Sequence, residues 1–475
     1  MNDSTPRTPR EIRIDDGWTI PAEDGVHRRT LVKGSAWTVP VLALSVATPA
    51  AAASGSPTLA FTQSSYSGKA CGTITGVQVK RTTDGSTADP GKVVTVRLAD
   101  GYTFADGSTT VSRTTGTDGL VTLPDITVPS TGGDSAFKAA SDSLTTSARV
   151  SSTASDKTGI YLYDYKNSAK DSTGPIKDSA KAIKLISTNG GGAFIYQNSD
   201  GSLHTSDGGI VKGTTSGVDT GAGLVSITNE LYCYKKSDGI YFYNYKTGAT
   251  SGPVKDSSDA IKLISTNGGG AFIYQNSDGS LHTSDGGIVK GTTSGVDTGA
   301  GLVSITNELY CYKKSDGIYF YNYKTGATSG PVKDSSDAIK LISTNGGGAF
   351  IYQNSDGSLH TSDGGIVKGT TSGVDTGAGL VSITNELYCY KKSDGIYFYN
   401  YKDGSTKGPL DSSATAQTLI SSNGGAAFIF QNTDGTVRTS DGKIVPGAAS
   451  DVDKGADLVS LTAELYAYKK SPACS

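Results

Sequence analysis

Ala182-Ile183-Lys184-Leu185-Ile186-Ser187-Thr188-Asn189 returns unchanged at Ala260 and at Ala338, and as a variant at Ala416, each copy 78 residues after the last. Residues 182–259 and 260–337 are identical letter for letter. Self-similarity at a fixed period means one supersecondary unit used repeatedly. Each unit divides again, because Gly223-Leu224-Val225-Ser226-Ile227-Thr228-Asn229 holds the place of the Ala182 run in its second half. The half-unit is therefore about 39 residues.

Alternation and turn residues predict four short strands per half-unit: Ile183–Thr188, Ala193–Gln197, Ser202–Ser206 and Ile210–Lys212 in the first. In the second they are Leu224–Thr228, Leu231–Lys235, Ile240–Tyr245 and a weak strand near Pro253–Val254. The turns between them carry Asn, Asp and Gly, which tolerate positive φ. Four strands in this length match one blade of a β-propeller. First strands begin near 182, 223, 260, 301, 338, 379, 416 and 457, which predicts eight blades. The last copy stops after two strands, Asp457–Thr462 and Glu464–Lys470. The first copy begins with the missing pair, Gly159–Tyr165 and Pro175-Ile176. Their union completes a sheet and removes two exposed edges, so the expected fold is all-β, with a closed eight-bladed propeller over 151–475.

The blade pattern, an Ile-Ser strand, a Gly turn, an apolar strand and an Asp-Gly turn, resembles chromosome-condensation-regulator-type and tachylectin-type repeats. The resemblance spans 159–470 and is one of architecture; it transfers no site residues.

Residues 54–150 have another texture, with alternating segments Gly76–Lys80, Lys92–Leu98 and Leu120–Leu123 separated by Asp-Gly turns at 100–101, 106–107 and 118–119. Period-two alternation broken at such intervals predicts a β-sandwich. Pro90–Leu98 and Thr117–Leu123 resemble the immunoglobulin-like domains of bacterial invasin-type proteins, which implies a spacer. Before them, Arg28-Arg29, an apolar run from Ala36 to Ala47 and Ala50-Ala51-Ala52-Ala53 resemble a twin-arginine export signal covering 1–53. That implies a secreted bacterial protein with no membrane span after cleavage; about 12 apolar positions are too few to cross a bilayer comfortably. Trp18 and Trp37 both lie in this segment, so a stacking platform elsewhere must use Tyr or Phe.

The net charge of −3, without a basic block, gives no case for nucleic acid. Near-identical blades place copies of one group around a circle, whereas catalysis needs different groups converging on one point. No nucleophile elbow, phosphate loop or paired metal-ligand motif is present, and no cofactor is expected. Repetition suits multivalent binding, with a glycan or another repetitive surface polymer as the expected ligand. A protein receptor recognised by an adhesin or inhibitor is the alternative, and a glycan-degrading enzyme the weaker one.

His204, His282 and His360 are equivalent, with Arg438 in the fourth copy. Each belongs to a different blade, so they cannot share a metal ion. They act either as polar groups packed between blades or as a repeated ligand contact. Tyr196, Tyr274 and Tyr352 repeat likewise and serve either as core or as a stacking surface for sugar. Ser199-Asp200-Gly201 is spaced unlike a sialidase Asp-box, and Asn198, Asp200 and Asp207 are too sparse for a calcium loop; turn chemistry accounts for them. Cys233, Cys311 and Cys389 fall on alternate blades, too far apart to pair. Cys71 and Cys474 stand outside the repeat and are candidates for a disulfide in an oxidising compartment.

Overall fold

The computed structural model describes residues 55–472 and 474, without 165–172, 188–193, 222–223, 227–229, 266–271, 300–302, 305–307, 344–349, 378–379, 383–385, 422–427, 455–458 and 461–464. The expected export signal at 1–53 lies outside the described residues. Every regular element among those described is a strand, and no helix among them is long and apolar enough to cross a membrane.

Residues 58–153 form three small sheets. Thr58–Phe61, Gln78–Thr82 and Leu120–Thr122 make one. Ser65–Lys69, Leu144–Thr153, Ser135–Ser141, Val93–Arg97 and Thr110–Thr114 make the widest. Thr73–Ile74, Ile126–Thr127 and Thr103–Phe104 make the third. They share one core that includes Tyr66, Val79, Val96, Tyr102 and Phe137. The alternation works as period two requires: Val94 and Val96 are buried while Val93 and Arg97 face out. The segment predicted from Gly76 starts at Gln78, because Gly76 turns with φ of 70°.

The remainder, among the described residues, is an array of eight small antiparallel sheets. Ala182–Ser187, Phe194–Asn198 and Leu203–Thr205 form one. Leu224–Ser226, Leu231–Lys236, Gly239–Asn244 and Thr250–Ser251 form the next, and the pattern recurs with the repeat. Repeated sheets of this size fit a β-propeller. The weak fourth strand lies at Thr250–Ser251 and not near Pro253–Val254. Pro253 has no N–H to give the ladder, and the strand stops before it. Gly239 is required at its turn: φ is 143°, and a Cβ would sit 2.7 Å from Ser257 Oγ, which accepts from the Ile240 amide at 2.8 Å.

The two ends of the repeat region meet in one sheet. Gly159–Asp164 pairs antiparallel with Leu465–Lys470, from Gly159 opposite Lys470 to Asp164 opposite Leu465, and Val459–Ser460 flanks the latter. Aromatic and aliphatic side chains fill the spaces between sheets. Ile160 and Ala467 share a core with Leu185, Phe194 and Tyr196 on one side, while Tyr163, Tyr466 and Tyr468 pack with Ile429 and Val437 on the other. The first strands of successive sheets touch in order, and Val459–Ser460 touches Ala182–Ser187.

Candidate functional site

The repeated polar cluster is built where the second strand of a sheet turns into its third. Antiparallel pairing of Phe194–Asn198 with Leu203–Thr205 sets Tyr196 opposite His204, and their rings stack at 5.0 Å. The turn between them is held by Asp200, whose carboxylate accepts from the Ser202 amide at 2.9 Å and its hydroxyl at 2.6 Å. His204 Nε2 then lies 2.9 Å from Ser202 Oγ and 3.1 Å from Asn198 Nδ2, and Nδ1 lies 3.3 Å from the Gly208 carbonyl. The Tyr196 hydroxyl donates to the Lys177 carbonyl at 2.9 Å.

The copies repeat this closely. His282 stacks on Tyr274 and His360 on Tyr352, both at 5.0 Å. The Ser280 hydroxyl and amide hold the Asp278 carboxyl below the ordinary carboxylate range. Burial pushes the Tyr352 phenol up to about 12, with Asp334 and Asp363 adding to the shift. In the fourth copy Arg438 lies opposite Phe430, and its Nη1 donates to the Gly442 carbonyl at 2.7 Å.

His204, His282 and His360 are buried, as are Tyr196, Tyr274 and Tyr352; Arg438 is half-buried. The structure thus sets the predicted contacts inside the sheets, each histidine in its own sheet. Among the described residues, no three His, Cys, Asp or Glu side chains converge as a metal site would require. Cys233, Cys311 and Cys389 are buried thiols, and burial raises the Cys311 thiol well above its ordinary pKa. Cys71 and Cys474 are joined, with Cα atoms 4.8 Å apart.

No family model matches the chain. No curated protein is significantly similar to it. Among solved structures it is similar to BamB from Moraxella catarrhalis, at 14% identity over 67% of this chain and 92% of that one, with a TM-score of 0.40. It is also similar to U3-55K, at 10% identity over 55% of this chain and 97% of that one, with a TM-score of 0.34.

What the repeat offers to solvent is an isoleucine. His204 bridges to Ile210 across the next turn, and Ile210, Ile288, Ile366 and Ile444 are 57%, 56%, 56% and 43% exposed. The signal was present in Gly209-Ile210-Val211-Lys212. Two adjacent residues on an extended segment point to opposite sides, and here Val211 is the one buried.

The histidine cluster yields a stability test. His282→Ala should destabilise the fold by about 1–3 kcal/mol, through a cavity beside Tyr274 and lost partners for Ser280 and Asn276. His282→Arg should lose less than half of that, because the fourth copy already accommodates Arg438 on the equivalent carbonyl. Chemical denaturation of both variants checks the order; equal losses would refute it.

Proposed function

We propose that this chain is an exported, non-enzymatic binding protein. In this reading an immunoglobulin-like sandwich precedes a closed eight-bladed propeller, which recognises a carbohydrate or another repetitive surface polymer through several copies of one weak site. The order of contacts among first strands and the pairing of 159–164 with 465–470 support the ring. The observation that carries the function is the recurrence of one solvent-facing surface. An exposed isoleucine appears four times in the same setting, just after a turn whose Asp accepts from the Thr two residues before it.

Identical surfaces on a rigid scaffold engage a repetitive ligand by avidity, which can exceed a single-site affinity by roughly 10²–10⁴. They do not assemble the unlike acid, base and stabiliser that a reaction centre needs. A protein partner is the second reading, favoured by the same isoleucines, since an exposed branched apolar side chain also fits a pocket on a folded surface.

Binding to immobilised polysaccharides and to a glycan array tests the proposal. Polymers should bind at least tenfold more tightly than the matching monosaccharides, which should compete at high concentration. An array without a positive spot overturns the carbohydrate reading. Binding to a protein that simple sugars fail to compete would establish the second.

A further inference from the structure

Residues 198–210 of the first repeat have the same sequence as their counterparts 276–288, but something stands opposite them. Thr131, Gly133, Ser152, Ala154 and Ser155 of the N-terminal domain form the far wall of a cleft of about 490 Å³. The near wall is the repeat itself, with Asn198, Asp200, Ser202, His204 and Ile210. This volume lies within the roughly 300–1,000 Å³ typical of small-molecule sites, which favour domain interfaces.

The far wall is held in place. Gly133 and Ser152 exchange backbone hydrogen bonds of 2.8 and 3.1 Å, and Ser155 donates its amide to the Ser130 carbonyl at 2.8 Å. The Thr158 hydroxyl donates to the same carbonyl at 3.1 Å. The Cys71–Cys474 link ties this domain to the segment that follows Leu465–Lys470.

The near wall also carries a buried acceptor that recurs in every copy. Asn198 is only 6% exposed, and its Nδ2 donates to the Asp178 carbonyl at 3.3 Å. Its Oδ1 has no hydrogen-bond partner among the described residues, and the same holds for Asn276, Asn354 and Asn432 in the other copies. A buried acceptor left unsatisfied costs about 1–3 kcal/mol and calls for an explanation.

The lining defines the chemistry. Lys177 and Lys181 balance Asp178 and Asp200, so the cleft carries no net charge. Serine and threonine hydroxyls surround a small apolar patch of Pro175, Ile176 and Ile210. Polar donors and acceptors of both kinds around such a patch suit the edges and apolar face of a neutral sugar ring.

We propose that this cleft is a single saccharide subsite, occupied by one or two units of a neutral glycan. It is built from one repeat and the N-terminal domain, and no other repeat possesses it. This deepens the proposed function and rests on its carbohydrate ligand, but it does not require the repeated sites to bind.

The test is isothermal titration of the full chain with neutral tetrasaccharides of glucose, mannose and N-acetylglucosamine. At least one should bind with one site per chain. Ala154 is exposed on the far wall, and Ala154→Trp should fill the cleft and weaken that binding at least tenfold. Ile210→Asp, at another exposed position, should weaken it similarly, whereas Val93→Asp, exposed on the N-terminal domain and outside the cleft lining, should leave it unchanged. Thermal melts of all variants confirm folding. Wild-type affinity in both Ala154→Trp and Ile210→Asp, or no tetrasaccharide binding to the wild type, overturns the subsite. Avid binding of polymers that Ala154→Trp leaves intact would then keep the repeated-site reading alone. A tetrasaccharide site lost in Ala154→Trp, with no avidity for polymers, would keep the cleft alone.

Discussion

Replacing Cys71 with serine should lower the stability of the whole chain by about 2–5 kcal/mol. The link spans 403 residues of sequence, so in the unfolded chain it closes a loop containing both domains. In the chain-entropy account, a longer closed loop means a larger loss of freedom in the unfolded state. The Cα separation of 4.8 Å lies inside the ordinary range for disulfides. Cys71 is placed by its own amide, which donates to the Val128 carbonyl at 3.0 Å. Thermal unfolding with and without reductant reads the effect directly. Wild-type protein should melt lower when reduced, and Cys71→Ser should be indifferent to reductant. Of the five cysteines, the denatured, unreduced chain should expose three thiols, those of Cys233, Cys311 and Cys389. Five thiols in the unreduced chain, or a melting point that ignores reductant, would remove the link from the argument.

A comparable loss is expected inside the repeat. Phe350→Ala should cost about 3–5 kcal/mol. Phe350 is 1% exposed and packs edge-on against Phe320 of the preceding sheet, with ring centroids 5.5 Å apart. Its cluster draws Cys311 and Ile318 from one sheet and Ala338, Leu341 and Tyr352 from the next. Truncation therefore opens a void at the seam between two sheets, where neither backbone can close in without abandoning its own ladder. Phe320 is only half-buried, so Phe320→Ala should cost less. Urea unfolding of the two variants compares them; a loss under about 1 kcal/mol at Phe350 would mean that the seam relaxes freely.

Much of the architecture could be read before any coordinate. The strand at Phe194–Asn198 was recognisable from Ala193 to Gln197, and the union of Gly159–Asp164 with Leu465–Lys470 followed from counting which strands each end lacked. The fourth strand of the second half-unit was misplaced by three residues, since Pro253-Val254 is apolar while the pairing residues Thr250 and Ser251 carry no apolar signal. The candidate site was less legible. Tyr196 and His204 each stand out as repeated residues, but their pairing and burial come from the fold, and Ile210 reads in the sequence only as part of a strand.

The repeat, the short strands and the partnership of the two chain ends are properties of the sequence by itself. Period, turn residues and alternation act between neighbours along the chain, and an unpaired half-sheet at each end has one complementary partner. Tertiary structure alone decided which repeated side chains face solvent, because both faces of these sheets are packed and alternation does not distinguish inside from outside. It also decided that the N-terminal domain walls off a single copy of the repeated surface. Contacts between the two walls, which belong to different domains and share no repeat, leave no trace in local pattern.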